Sequence, residues 1–150
     1  MRVYLVIIDE TAEAAKALRF ASRRAMKTGG SVHILAIVQK QNFNAFGGVQ
    51  ATIEEEARDR AEVIANSAAG GILAESGKMP VISVKVGSGV AVIQEYLKEH
   101  PEVAALVLGT APEGSPGPLV THFAAHAGAL PCPVYIVPGG FTNEDIDRLA

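Results

Sequence analysis

The sequence has no tryptophan, a single cysteine and only 5% aromatic residues. A lone Cys132 excludes an internal disulfide, so no feature of the chain calls for an oxidising compartment. Long apolar runs are also missing. The longest, such as residues 3–8 and 103–108, fall far short of the roughly 20 apolar residues that span a bilayer. Clustered positive charge is missing too. Arg23-Arg24 is the only basic pair that stands out; it lies in a helical pattern and reads as a solvated face, and the formal net charge is −3. The electrostatic footprint of a nucleic-acid binder is therefore not expected. A strand is expected directly at the N-terminus, so no signal peptide is expected. The expected location is cytoplasmic.

What is present suits a compact core. The 150 residues fit one domain, with 49% hydrophobic and 19% charged residues. A core of Val, Ile, Leu and Ala suits parallel strands covered by helices on both faces. Residues 3–8 (VYLVII) form a short continuous apolar run, the pattern of a buried strand. Ala14, Leu18, Ala21 and Ala25 then mark one face of a helix over residues 12–27, which Gly29-Gly30 stops. Residues 31–38 are a second strand, and residues 39–50 read as a polar loop. Thr52 and Glu55 have the spacing of a capping box. They predict a helix start with Ile53, Ala57, Ala61, Ile64 and Ala68 buried, and Gly70-Gly71 weakens or ends that helix.

Pro80 introduces a third strand at residues 81–86. Gly87-Ser88-Gly89 connects it to a helix over residues 90–99 that buries Ile93 and Leu97, and His100-Pro101 closes the helix. Residues 103–108 are a fourth strand, stopped by Gly109. A Pro/Gly-rich loop follows. Pro118 then opens a helix, where its missing amide costs nothing, with Leu119, Phe123, Ala127 and Leu130 on the apolar face. Residues 134–137 are a fifth strand. Thr142 to Asp145 cap a last helical turn. Strict βαβ alternation predicts a parallel sheet with right-handed crossovers. The domain is expected over residues 1–140, with a short helical extension at 141–150.

These residues carry a family resemblance. The first strand ending at Asp9, the third ending at Gly87, Leu106-Val107-Leu108-Gly109, and the closing Pro131-Cys132-Pro133-Val134-Tyr135-Ile136-Val137-Pro138 together resemble the universal stress protein family. The resemblance implies a single-domain, Rossmann-like α/β fold, with a five-stranded parallel sheet in the order 3-2-1-4-5. It implies ligand binding where the first and fourth strands part, and ATP or AMP as ligand in many members. It also implies a homodimer paired through the fifth strand, by Val134, Tyr135, Ile136 and Val137. Asp9 would face the adenosine and Val38 the adenine.

The phosphate loop departs from the family pattern of a glycine, two residues, a glycine, nine residues, then glycine and a hydroxyl residue. Gly109 matches the first glycine. The second falls on Pro112, and the closing pair falls on Val120-Thr121, so the hydroxyl survives and the glycine does not. Pro112, Pro116 and Pro118 lack amide donors, and Glu113 adds negative charge. Gly114, Ser115 and Thr121 remain as donors to phosphate. Asp9 has a second reading, as a cap of the next helix.

Other groupings are weaker. His122 and His126, spaced i, i+4, place two imidazoles on one helix face but bring no third ligand, and a solvated or interface pair is expected. His33 is expected on a packed strand face, and His100 as a cation at a helix C-terminus. Cys132, between prolines with no basic neighbour, reads as an inert buried thiol. Gly87-Ser88-Gly89 is no dinucleotide fingerprint, since Val92 takes the place of the third glycine. A phosphorylated receiver needs an Asp after the third strand and a Lys after the fifth; Gly87-Ser88 and Pro138-Gly139-Gly140 stand there. No catalytic residue and no metal site is expected. The expectation is a non-enzymatic stress-response sensor or binding module. One alternative is an adenine-nucleotide-binding protein with slow hydrolysis or autophosphorylation. The other is a regulatory accessory subunit of a transporter or enzyme.

Overall fold

The computed structural model describes residues 2–40 and 47–150. Its elements run β1 (Val3–Ile8), α1 (Ala12–Thr28), β2 (Ser31–Val38), α2 (Gly47–Ser76), β3 (Val81–Val86), α3 (Gly89–Glu99), β4 (Val103–Thr110), α4 (Pro118–Ala125), β5 (Val134–Pro138) and α5 (Asn143–Leu149). All five strands are parallel, in the order β3-β2-β1-β4-β5. β1 is buried along its whole length. That is the burial its uninterrupted apolar run requires, since it lies at the centre with helices on both faces.

The two faces are built differently. Against α1 and α2 the sheet meets alanines: Ala17, Ala21 and Ala25 on α1, and Ala65 and Ala69 on α2. Against α3 and α4 it meets large side chains: Ile93, Tyr96, Leu97 and Phe123. Small side chains bring α1 close, and one position shows how close. A Cβ at Gly109 of β4 would lie 2.1 Å from the Glu13 carbonyl oxygen.

α2 departs most from expectation. It is already helical at Gly47, so the Thr52–Glu55 spacing lies inside the helix rather than at its start. The expected loop over residues 39–50 does not hold for residues 47–50, which are helical; residues 41–46 lie outside the described residues. Nor does Gly70-Gly71 end the helix. A Cβ at either glycine would meet no atom within 4 Å. The two therefore cost only propensity, about 1 kcal/mol each. Burial of Ala65, Ala69 and Ile72 on the sheet side offsets that cost. Gly77 stops the helix, with φ of 74° and its amide donating to the Leu73 carbonyl.

β4 continues past Gly109, which pairs with Val137, to Thr110, which pairs with Pro138. α4 is shorter than its apolar pattern suggests: it ends at Ala125, and a 3-10 turn over Ala127–Ala129 leads to β5. α5 opens with the capping box of Thr142 and Asp145 and docks on α1. Ile146 is fully buried, and Asp147 accepts a two-pronged bond from Arg19 (2.8 and 2.9 Å) and one from Arg23 (3.2 Å). Those bonds, the Arg19 pair first, hold the Asp147 carboxyl below the ordinary aspartate range.

Candidate ligand-binding site

β1 and β4 are neighbours, but the chain leaves them toward opposite faces: β1 feeds α1, and β4 feeds α4. This divergence is the switch point at which α/β sheets open a crevice beyond their strand ends. A cavity of about 520 Å³ lies there, bordered by Asp9, Thr11, Gln39, Ser88, Gly109 and Gly117 among others. Its size suits a small organic ligand. A second cavity of about 390 Å³ shares Asp9 and Thr11 and adds Val38 and Arg60.

The first turns of α1, α3 and α4 all border the larger cavity, through Glu13 and Ala14, Gly89 and Val90, and Pro118 to Val120. Unpaired amides and the helix dipole make such termini favourable to anions. Pro118 removes one donor from α4, and the Thr121 amide is bonded to the Gly117 carbonyl. Asp9 and Glu13, both acidic, border the same cavity, while Arg60 borders only the second.

Asp9 and Gly109 thus meet at one cavity, and the buried Val38 lines the adjoining one. Asp9 Oδ1 accepts from the Thr11 amide (2.8 Å) and hydroxyl (2.5 Å). Thr11 in turn accepts from the Ala14 amide and is the true cap of α1. Asp9 therefore braces the cap instead of forming it. Gly114, Ser115 and Thr121 border neither cavity. Gly114 and Ser115 lie exposed in the β4–α4 loop, which folds on itself through the Ala111 amide and Pro116 carbonyl (3.3 Å). The Thr121 hydroxyl donates to the Gly117 carbonyl (2.9 Å).

Several lining residues were not anticipated: Thr11, Gln39, Ser88 and Gly89. Each lies at or just beyond the C-terminal end of a strand or in the first turn of a helix, which is the positional signal available in sequence. Gly89 has a packing reason, since a Cβ there would come within 2.9 Å of Leu119 on α4.

The universal stress protein family model matches residues 1–138 of this chain. The chain belongs to the universal stress protein family. Among solved structures of the family, UspA from Lactobacillus plantarum is 21% identical, with a TM-score of 0.74 over 91% of this chain and 97% of that one. A family protein from Arabidopsis thaliana with AMP bound is 16% identical, with a TM-score of 0.60 and 92% of each chain covered. The universal stress protein from Archaeoglobus fulgidus in complex with dAMP is 16% identical, with a TM-score of 0.53 over 91% of this chain and 97% of that one. At these identities the likeness is one of fold. No curated protein matches the sequence.

Away from the cavity, the His122 and His126 rings stack at 4.4 Å, and His126 Nδ1 donates to the His122 carbonyl (2.8 Å). Among the described residues no third ligand joins them. Burial raises the pKa of the Cys132 thiol, which works against thiolate formation. No helix among the described residues is long and apolar enough to cross a membrane.

Proposed function

We propose that this universal stress protein is a non-enzymatic stress-response binding module, and that its switch-point cavity takes adenosine or AMP in preference to ATP. One observation carries the preference. Three helix N-termini face the cavity, enough to attract one phosphate. Beyond them the loop from Gly109 to Thr121 has three prolines, one glutamate and no Lys or Arg. A triphosphate brings further charged oxygens that need amides, hydroxyls or cations. Each absent charge-assisted bond forfeits about 1.5–3 kcal/mol, and two such losses weaken binding roughly a hundredfold to ten-thousandfold. The nucleotides named with the Arabidopsis and Archaeoglobus relatives, AMP and dAMP, are monophosphates.

The second reading is ATP binding with slow hydrolysis or autophosphorylation. The converging helix N-termini favour it, and Gly114, Ser115 and Thr121 would then turn inward. Calorimetric titration with ATP, AMP and adenosine, with and without magnesium, separates the two. AMP or adenosine binding more tightly than ATP is the expected result. ATP bound at low micromolar affinity, and much more tightly than AMP, overturns it.

We also infer a homodimer through β5. Among the described residues this strand pairs only with β4, so its outer edge is open to a further strand, and Ile136 there is 41% exposed. An apolar edge left open invites pairing. Pro133 and Pro138 bound the segment, and neither donates to a ladder. Tyr135 is half-buried against Phe20, with ring centroids 5.3 Å apart, and Val137 is buried. Sedimentation at micromolar concentration should give a dimer for the wild type and a monomer for Ile136→Lys. A wild-type monomer, or a dimer indifferent to Ile136→Lys, counts against the edge.

A further inference from the structure

At the opposite end of the sheet, a group of side chains has no part in the ligand cavity. His33 lies near the start of β2 and is only 7% exposed, on the face shared with Tyr96 of α3. His100 follows the last turn of α3, and Glu102 stands just before β4. A ring nitrogen from each histidine and a carboxylate oxygen of Glu102 all lie within 4.8 Å of one another. The His100 ring stacks on Tyr96 (4.1 Å between centroids) and meets His33 edge-on (5.8 Å).

We propose that His33, His100 and Glu102 form a binding site for a divalent transition-metal ion of the zinc type. Two imidazoles and a carboxylate are a donor set that suits this ion and leaves a fourth position open. The surroundings are those that ligating histidines need. The Tyr96 hydroxyl lies 2.8 Å from His33 Nδ1 and is itself hydrogen-bonded by Ser83. With Nδ1–H donating to that hydroxyl, the lone pair sits on Nε2, and the ring is held in place by an outer-shell partner. Burial, followed by the nearby His100, lowers the His33 pKa.

His100 Nδ1 and Glu102 Oε1 are already 2.8 Å apart. The ion takes the place of the proton between them, which in a neutral ring moves to Nε2. The Glu102 carboxyl is held below the ordinary glutamate range, by its own backbone amide first and then by His100. Ligands at about 2.0–2.1 Å in a tetrahedron stand roughly 3.3–3.5 Å apart. His100 and Glu102 must therefore part slightly from their 2.8 Å, and any pair nearer the 4.8 Å limit must close. His33 is the fixed member, while His100 (33% exposed) and Glu102 (48% exposed) supply the movement.

The test uses the wild-type protein with Zn²⁺ by calorimetry, and with Co²⁺ by visible absorption, which reports coordination directly. One equivalent should bind saturably, with the intense absorption of a four-coordinate cobalt ion. Glu102→Gln should weaken binding at least about tenfold, and Tyr96→Phe by about 10–100-fold, as expected for an outer-shell partner. His33→Gln should abolish saturable binding. A double variant, His122→Ala with His126→Ala, should bind as the wild type does. If His33→Gln fails to fold, the exposed Glu102→Gln decides. No saturable binding by the wild type overturns the site. So does binding that ignores Glu102→Gln, or that disappears in the His122/His126 double variant.

Discussion

Phe123→Ala is expected to destabilise the protein by about 3–5 kcal/mol, the usual cost of deleting a buried aromatic side chain. Phe123 is fully buried in the cluster of Leu106, Leu108, Ile93 and Cys132. It is one of two buried anchors, with Val120, of an eight-residue helix that has no side-chain cap. The surrounding strands are held in register on both sides, so the vacated space refills only in part. For a chain of 150 residues the loss lowers the melting temperature by roughly 6–20 °C. Urea unfolding checks it. A cost under about 1 kcal/mol would mean that α4 shifts to refill the space.

Gly109→Ala should cost about 1–3 kcal/mol, the usual range for overpacking. The new Cβ would stand 2.1 Å from the Glu13 carbonyl oxygen and 2.6 Å from its carbon. These are backbone atoms of the first turn of α1, so no side chain can rotate out of the way. Gly70→Ala is the matched control with opposite sign. It meets no atom and should stabilise α2 by about 0.5–1 kcal/mol. Equal effects in the two variants would show that α1 slides freely over β4. The pair also bears on how Gly109 is read: its absent side chain already has a packing reason, before any phosphate approaches.

β1, β2 and β3 were legible to the residue because each is an apolar or β-branched run bounded by glycine, proline or polar residues. α2 was misread because its glycines and Thr52 carry stop and start signals that tertiary burial outweighs; Ala65 and Ala69, the residues that supply that burial, look unremarkable in sequence. Asp9 and Gly109, singled out by the family resemblance, do border the cavity, because strand ends reach a switch point wherever the alternation places them. Arg60 was not legible, since only the path of α2 brings it to the second cavity. His33 and the His100–Glu102 pair lie far apart along the chain, and no local pattern joins them. Their meeting depends on α3 ending beside the third residue of β2.

The alanine seam under α1 has a dynamic consequence. Ala17 and Ala21 have no rotamers to exchange, so α1 can leave the sheet only as a rigid body, at the loss of every contact at once. The opposite face is filled by Ile93, Leu97 and Phe123, long side chains that can swap rotamers in small steps. Breathing motions of this fold should therefore be one-sided. Amide hydrogen exchange should be slowest along α1 and faster in α3 and α4, so the rim of the cavity contributed by those two helices is the part able to adjust when a ligand arrives.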